Sequence, residues 1–425
     1  MARSTWLWTA LAGCDPYAGW PDPSAVFPWV YTPEEGLPAY ADVRVETETW
    51  TPLVDLIETG LYVQKATYHR PSAPLEELVH FGELRPRIPP LVPDDPRVSF
   101  VGDVMRFGGN WAAFAEPSAD LLGGLRVGNL ETPTSRHDPI DPGELASERG
   151  LYAFNSPPEL IDGLPLDVVQ INNNHSLDLD DHGLEMTWRE VVESGRVPIG
   201  MDDNLAWAGS DAVRVALLSY TWGTNVDPAG SEHDLHVIPF GHLDEEIDLW
   251  PIERQVRAAR RAGATHVVLL VHWGFEYEYY PDPHFLQLGR ALVASGADVV
   301  AGSGPHVVQP AEVCDVNRPG AAPGRGRCAV RDPGDDRPRT AAILYSLGDF
   351  GTELATLPLQ VGIVATVSLG PAGVTGLGWR AVATVPSPTG IEVVPLSDRS
   401  SDPSYAAEAA RLDALLGTTW KLAAD

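Results

Sequence analysis

From residue 97 onward, six short apolar runs each end in a polar or glycine-containing cluster, and this recurrence constrains the fold more than any other feature. Residues 98–101 precede Gly102-Asp103, 125–127 precede Gly128-Asn129-Leu130-Glu131, and 168–171 precede Asn172-Asn173-Asn174-His175. Residues 267–271 precede His272-Trp273-Gly274, 299–301 precede Gly302-Ser303-Gly304-Pro305-His306, and 343–346 precede Leu347-Gly348-Asp349. Apolar runs without alternation suit strands covered on both faces. Helical spacing at 183–194, 253–262 and 284–295 supplies the covering layers. Open α/β sheets build their sites just beyond the carboxyl ends of strands, which is where these polar residues fall. Beyond Phe350 the pattern predicts antiparallel strands at 361–369 and 377–386, then a helix near 404–416.

The N-terminal portion differs. Residues 15–96 are rich in Pro, Trp and Tyr, and the alternation at 43–48 predicts a half-buried strand. Residues 85–93, with four prolines, read as a linker. The expected organisation is a lipoprotein signal peptide at 1–14, a small, β-rich accessory region and linker at 15–96, a main domain at 97–390, and a C-terminal extension with a helix at 391–425. A 44% hydrophobic content supports a sizeable core, and 40 Gly with 39 Pro argue against a helical bundle. With 59 acidic against 29 basic side chains, the net charge of −30 repels nucleic acid and other bulk polyanions. A polyanionic substrate therefore needs a local cationic patch or metal ions.

Arg3, a short apolar stretch and the tetrad Leu11-Ala12-Gly13-Cys14 match a lipoprotein signal ending in a lipidated cysteine; a chance match at a frayed terminus is the alternative. Export with a lipid anchor on Cys14 is the expectation, the anchor being the only membrane attachment, since no other apolar run approaches the roughly 18 residues of a spanning helix. If Cys14 carries lipid, Cys314 and Cys328 remain as a pair around a Pro/Gly/Arg-rich hairpin or loop, suited to a disulfide outside the cytoplasm or, inside it, to two free thiols.

The strand-end residues gather carboxylates (Asp103, Glu131), amides and three imidazoles (His175, His272, His306). These are donors that Mn, Fe or Zn accept. Such ions clamp a phosphoryl group and lower the pKa of a bound water, while a histidine that is not a ligand protonates the leaving oxygen. The chemistry suggested is metal-assisted hydrolysis, with phosphoesters as the natural class.

Gly102-Asp103-Val104-Met105, Asn129-Leu130-Glu131-Thr132-Pro133, Asn173-Asn174-His175-Ser176-Leu177-Asp178, His272-Trp273-Gly274-Phe275-Glu276-Tyr277, Pro305-His306-Val307-Val308-Gln309 and Tyr345-Ser346-Leu347-Gly348 together resemble the successive signatures of the CapA (poly-gamma-glutamate capsule biosynthesis) family. That family is similar to the calcineurin-like metallophosphatases. The resemblance implies an α/β fold, a metallophosphatase-like double β-sandwich flanked by helices. It implies one or two divalent transition-metal ions (Mn, Fe or Zn) contacted by Asp103, Glu131, Asn174, His272 and His306. His175 takes the proton-donating position, and Asn173, Glu276 and Asp349 support the ligands or touch substrate. The expected substrate is a phosphoester or an envelope polymer of the poly-gamma-glutamate type.

Two departures bear on the metal count. His-Pro-His becomes Gly304-Pro305-His306, removing an imidazole, and Leu-Gly-Asn-Phe becomes Leu347-Gly348-Asp349-Phe350. The expectation is one ion on Asp103, Glu131 and His306, and a weaker second on Asn174 and His272. His182 is a substitute ligand or, more simply, a solvent-facing loop histidine. A non-catalytic envelope binding or assembly protein with a degenerate site is the alternative function.

Overall fold

The computed structural model describes residues 65–67, 73–149, 153–209, 213–238 and 247–423. Among these the chain forms fifteen strands. They are β1 (Arg97–Met105), β2 (Leu125–Glu131), β3 (Val168–Gln170), β4 (Val197–Ile199), β5 (Ala206–Gly209), β6 (Arg214–Thr221), β7 (His266–His272) and β8 (Val299–Ser303). There follow β9 (Ala311–Val316), β10 (Cys328–Val330), β11 (Arg339–Leu344), β12 (Asp349–Gly351), β13 (Val361–Gly370), β14 (Gly373–Ser387) and β15 (Gly390–Pro395).

One half of the sheet is the parallel set β4-β3-β2-β1, and the other is β11-β8-β7-β6, also parallel. The antiparallel pair β13–β14 joins them, β13 lying beside β1 and β14 touching β11 at Thr340↔Gly373. Side chains one residue apart on a strand face opposite ways, and the cores follow that rule. Val98, Val127, Val215, Leu217, Val268, Leu270 and Ala342 point into a central core drawn from both halves. Ala216, Leu218, Val267, Leu269 and Ile343 point outward beneath helices Trp250–Arg261 and Pro283–Ala294. On the other side Val104, Leu130, Val169 and Ile171 meet Leu184 and Val191 of helix Asp180–Glu193. The sheet is thus folded into a sandwich flanked by helices, the α/β architecture expected from the sequence.

The covering helices follow local rules. Asp282 accepts a hydrogen bond from His284 N and caps the helix whose Phe285, Leu288 and Leu292 recur on one buried face. Helix Trp250–Arg261 carries Pro251 in its first turn and buries Ile252, Val256 and Ala259 at the same spacing.

The described part of the N-terminal region packs against the main domain. Of residues 15–96 most lie outside the described residues; within the described part, helix Leu75–Leu84 buries Phe81 and Leu84, and residues 88–96 are irregular. The residues read as a linker are anchored, because Ile88 is buried and Leu377 N donates to Pro89 O; the prolines shape a packed edge. Cys14 and the strand expected at 43–48 lie outside the described residues. At the other end β15 pairs with β14, and Leu412, Leu416 and Trp420 enter the central core.

Cys314 and Cys328 form a disulfide, with Cα atoms 4.4 Å apart. They face each other in the parallel pair β9–β10, so the intervening segment is a returning crossover rather than a hairpin.

Candidate metal centre

Strand register assembles the centre. Asp103 lies between Asn129 of β2 and Asp349 of β12 in the ladders, and Met105 is opposite Glu131. The β1–β2 register shifts between Phe100 and Asp103, which re-aims the end of β1. In the other half His272 ends β7 beside Ser303 of β8, and His306 follows within three residues. Gly304 (φ +111°) and His306 (φ +56°) both occupy the left-handed side of backbone space, a costly conformation for histidine held by its surroundings.

The side chains converge without water-facing surface. Asp103, Glu131, His272, His306 and Asp349 are all buried. Asp103 accepts from Asn129 Nδ2 (2.8 Å) at Oδ1 and from Gly304 N (2.9 Å) at Oδ2. His306 Nδ1 is 3.0 Å from Asp349 Oδ1 and 3.5 Å from Asp103 Oδ2. His306 Nε2 and His272 Nε2 are each 3.7 Å from Glu131 Oε1. His272 Nδ1 is 3.0 Å from Ser303 Oγ and 3.9 Å from Asp103 Oδ1. One donor atom each of Asp103, Glu131 and His306 falls within a 4.8 Å cluster.

Glu131 decides what this arrangement fits. Neither Oε1 nor Oε2 takes a hydrogen bond, though both are buried, and Asp349 Oδ2 and Asn174 Oδ1 are in the same condition. A buried carboxylate without donors is expensive unless a cation faces it. Burial and the Asp103 charge push the Glu131 carboxyl well above its ordinary range. Burial likewise lifts Asp349 to about 7, partly offset by His306. Asp103 stays ionised: its burial is outweighed by the hydrogen bond from His306 and the nearby His272. For His306, burial is outweighed by the charges of Glu131 and Asp349, which hold its imidazolium. Burial pushes His272 down to about 4, leaving a neutral imidazole. Three carboxyls therefore share one imidazolium, with oxygen and nitrogen donors aimed inward, and the set suits a divalent transition ion.

A second group borders the cluster. His175 Nδ1 is 2.6 Å from Asp178 Oδ2, which also accepts from Phe154 N at 2.6 Å. The Phe154 ring stacks on His175, with centroids 3.8 Å apart and planes 3° from parallel. Asn173 accepts from His175 N and donates to Asn129 Oδ1 (3.1 Å) and Leu130 O (2.8 Å), tying this loop to β2. The 173–179 turn and the Asn225–Asn174 backbone bond fix its position.

The residues singled out in the sequence thus divide clearly. Asp103, Glu131, His272, His306 and Asp349 come together, with Asn173 supporting β2 and the charge of half-buried Glu276 felt at Glu131. Asp103, Glu131 and His306, expected to share one ion, are the residues whose donor atoms fall together, and His272 also approaches Glu131. Asp349, expected to support ligands or touch substrate, is hydrogen-bonded to His306. His182 is exposed on the first turn of helix Asp180–Glu193, with His137 as its ring neighbour, and takes no part. Asn129, Ser303, Asp178 and Phe154 were missed. Asn129 had a signal, since a residue two before Glu131 in a strand shares its face; Phe154 had none.

A family model described as "Bacterial capsule synthesis protein PGA_cap" matches residues 97–353, a span that contains every residue of the cluster. The chain is 26% identical over 242 residues to the Capsule biosynthesis protein CapA of Bacillus anthracis, covering 55% of this chain and 57% of that protein. It is 26% identical over 194 residues to the PGA biosynthesis protein CapA of Bacillus subtilis (strain 168), covering 44% and 48%. The chain spans about half the length of the curated relatives it matches.

Proposed function

The chain belongs to the bacterial capsule synthesis protein family PGA_cap, and from that membership we propose that it serves capsule or cell-envelope polymer biosynthesis as a metal-dependent hydrolase. The names of its relatives support the capsule role. The observation that carries the chemistry is Glu131, both of whose buried oxygens lack a hydrogen bond while two imidazoles approach one of them. Asp103, Glu131 and His306 would hold a divalent ion, with His272, Asp349 and Asn174 bordering it. That ion, when bound, supplies Lewis acidity and a nucleophile at neutral pH for cleaving a phosphoester or polymer linkage.

The chain's own residues supply the rest. Asp178 engages Nδ1 of His175, leaving Nε2 for proton donation to the leaving oxygen. The stacked Phe154 ring fixes the imidazole plane, and the Asn173–Leu130 bond keeps that loop in register with Glu131. Burial of the cluster excludes bulk water and strengthens each of these interactions. Residues 97–390 form the catalytic domain in this reading. The protein is exported and held to the membrane by lipid on Cys14, facing its envelope substrate. Among the described residues no helix is long and apolar enough to cross a membrane.

Gly304 favours a second reading, an envelope binding or assembly protein in which a position that carries an imidazole in the family is a glycine. Metal analysis of purified protein, followed by a manganese-supplemented assay on bis(p-nitrophenyl) phosphate, separates the two. Bound metal with turnover that Glu131→Gln and His175→Asn abolish supports the hydrolase. Bound metal without turnover on any phosphoester favours the binding protein. No metal after incubation with Mn or Zn removes the hydrolase reading.

A further inference from the structure

Arg106 directly follows β1, three residues beyond Asp103, and reaches the ring that stacks on the proposed proton donor. Its guanidinium lies over the Phe154 ring, with Cζ 5.6 Å from the centroid, and Phe154 is the ring stacked on His175. The side chain is only partly exposed, and it makes no hydrogen bond or ion pair among the described residues. Glu353 and Asp141 act on it only through space, and Glu353 Oε1 already accepts from Gly108 N. A half-buried guanidinium with five unused donors is costly unless a ligand meets them. The surroundings argue the same way, because in a chain of net charge −30 the other arginines near this site are consumed. Arg149 reaches Asp138 and Asp180, and Arg136 reaches Glu159.

We propose that Arg106 is a specificity-determining residue that takes an oxyanion, carboxylate or phosphate, of the substrate. The inference rests on the reading of the neighbouring cluster as the reactive site. The guanidinium lies over Phe154, which in turn stacks on the imidazole, so the anion is a group flanking the bond that is cleaved. The substrate class is therefore polyanionic, with a charge on the unit next to the reacting one. The planar fork of arginine matches either oxyanion with paired hydrogen bonds, and stacking on Phe154 limits the entropy lost on binding. This local cation also answers how so acidic a protein binds an anionic polymer.

The test measures binding rather than turnover. Inorganic phosphate and glutarate are titrated calorimetrically into the full-length protein and its Arg106→Gln and Arg106→Lys variants, with metal content matched. The expected result is binding of at least one probe by the wild type, weakened about tenfold or more in Arg106→Gln. Arg106→Lys, which keeps the charge but not the fork, falls between them. Preference for phosphate or for glutarate tells which anion the substrate carries. A second measurement needs no variant: phenylglyoxal labelling of Arg106, mapped by mass spectrometry, is slowed by the bound probe, while labelling of exposed Arg325 is not. Equal binding by wild type and Arg106→Gln overturns the proposal, as does labelling of Arg106 that neither probe slows. Arg106-dependent binding in a protein that hydrolyses nothing retains the anion site and fails the hydrolase reading alone.

Discussion

Replacing Glu131 by Gln separates the cost of a buried charge from the value of a cation. In metal-free protein the carboxyl has no hydrogen bond and is pushed up by burial and by Asp103. Removing its charge therefore leaves metal-free stability unchanged or raised, an ionised buried group lacking donors costing about 1–3 kcal/mol or more. In metal-loaded protein the sign reverses, because the variant loses an anionic ligand. At metal one hundred times the dissociation constant, ligation stabilises the wild type by about 2.7 kcal/mol. For a chain of this length the unfolding entropy is about 0.9 kcal/mol/K, so the wild-type midpoint rises by about 3 °C. Differential scanning fluorimetry in EDTA and then in excess Mn or Zn should show crossing behaviour. Glu131→Gln melts no lower than wild type in EDTA and gains little from metal, while the wild type gains the full shift. A wild type that no divalent ion stabilises, or a variant that gains as much, refutes the assignment of the cation to Glu131.

The remaining expectations use the same purified protein and its host. Asp349, raised to about 7, holds its proton in the folded state while the unfolded carboxyl ionises near its ordinary value, so metal-free stability falls as pH rises from about 4 to 7. Loss of the His306 imidazolium at higher pH acts in the same direction. Melting scans in EDTA should show this decline, and Asp349→Asn should flatten its lower part. Reducing the Cys314–Cys328 bridge, which closes a 14-residue separation, should cost about 3 kcal/mol, read from denaturant midpoints with and without reductant. Cys14→Ala should move the protein from the membrane to the soluble fraction; unchanged fractionation excludes the lipid anchor.

The strands were legible because those covered on both faces are apolar throughout, and β1, β2, β7, β8 and β11 fall where the apolar runs do. The order in which they pair was not legible. Nothing local in residues 361–387 states that β13–β14 bridges two parallel halves, since register there is set by what both faces bury. Asp103, Glu131, His272 and His306 were visible as chemistry at strand ends. Their grouping around one carboxylate depends on the β1–β2 register shift and on positive φ at Gly304 and His306, which residue type does not encode. The anchoring of residues 85–93 was hidden by composition: proline-rich residues look like a spacer, but Leu377 and the core around Ile88 hold them to the sheet.

Gly304 and Asp349 bear together on whether the centre keeps a metal. A side chain at Gly304 is excluded by more than the ligand count: φ is +111°, and a Cβ would stand 2.9 Å from Trp273 O. Gly304→His would therefore report backbone strain before it reported a restored ligand, which is why the decisive substitution is at Glu131. The glycine N–H meanwhile donates to Asp103 Oδ2, so the position still contributes to the centre through its backbone. Of the two departures from the family pattern only Asp349 shifts the charge, becoming an anion once it ionises above about pH 7. Asp349 occupies His306, and the imidazolium is shared among three carboxyls. The resulting deficit of positive charge falls on Glu131, the group without hydrogen bonds. The carboxylate at Asp349 thus deepens the electrostatic need for a cation, which weighs against a centre that has simply given up its metal.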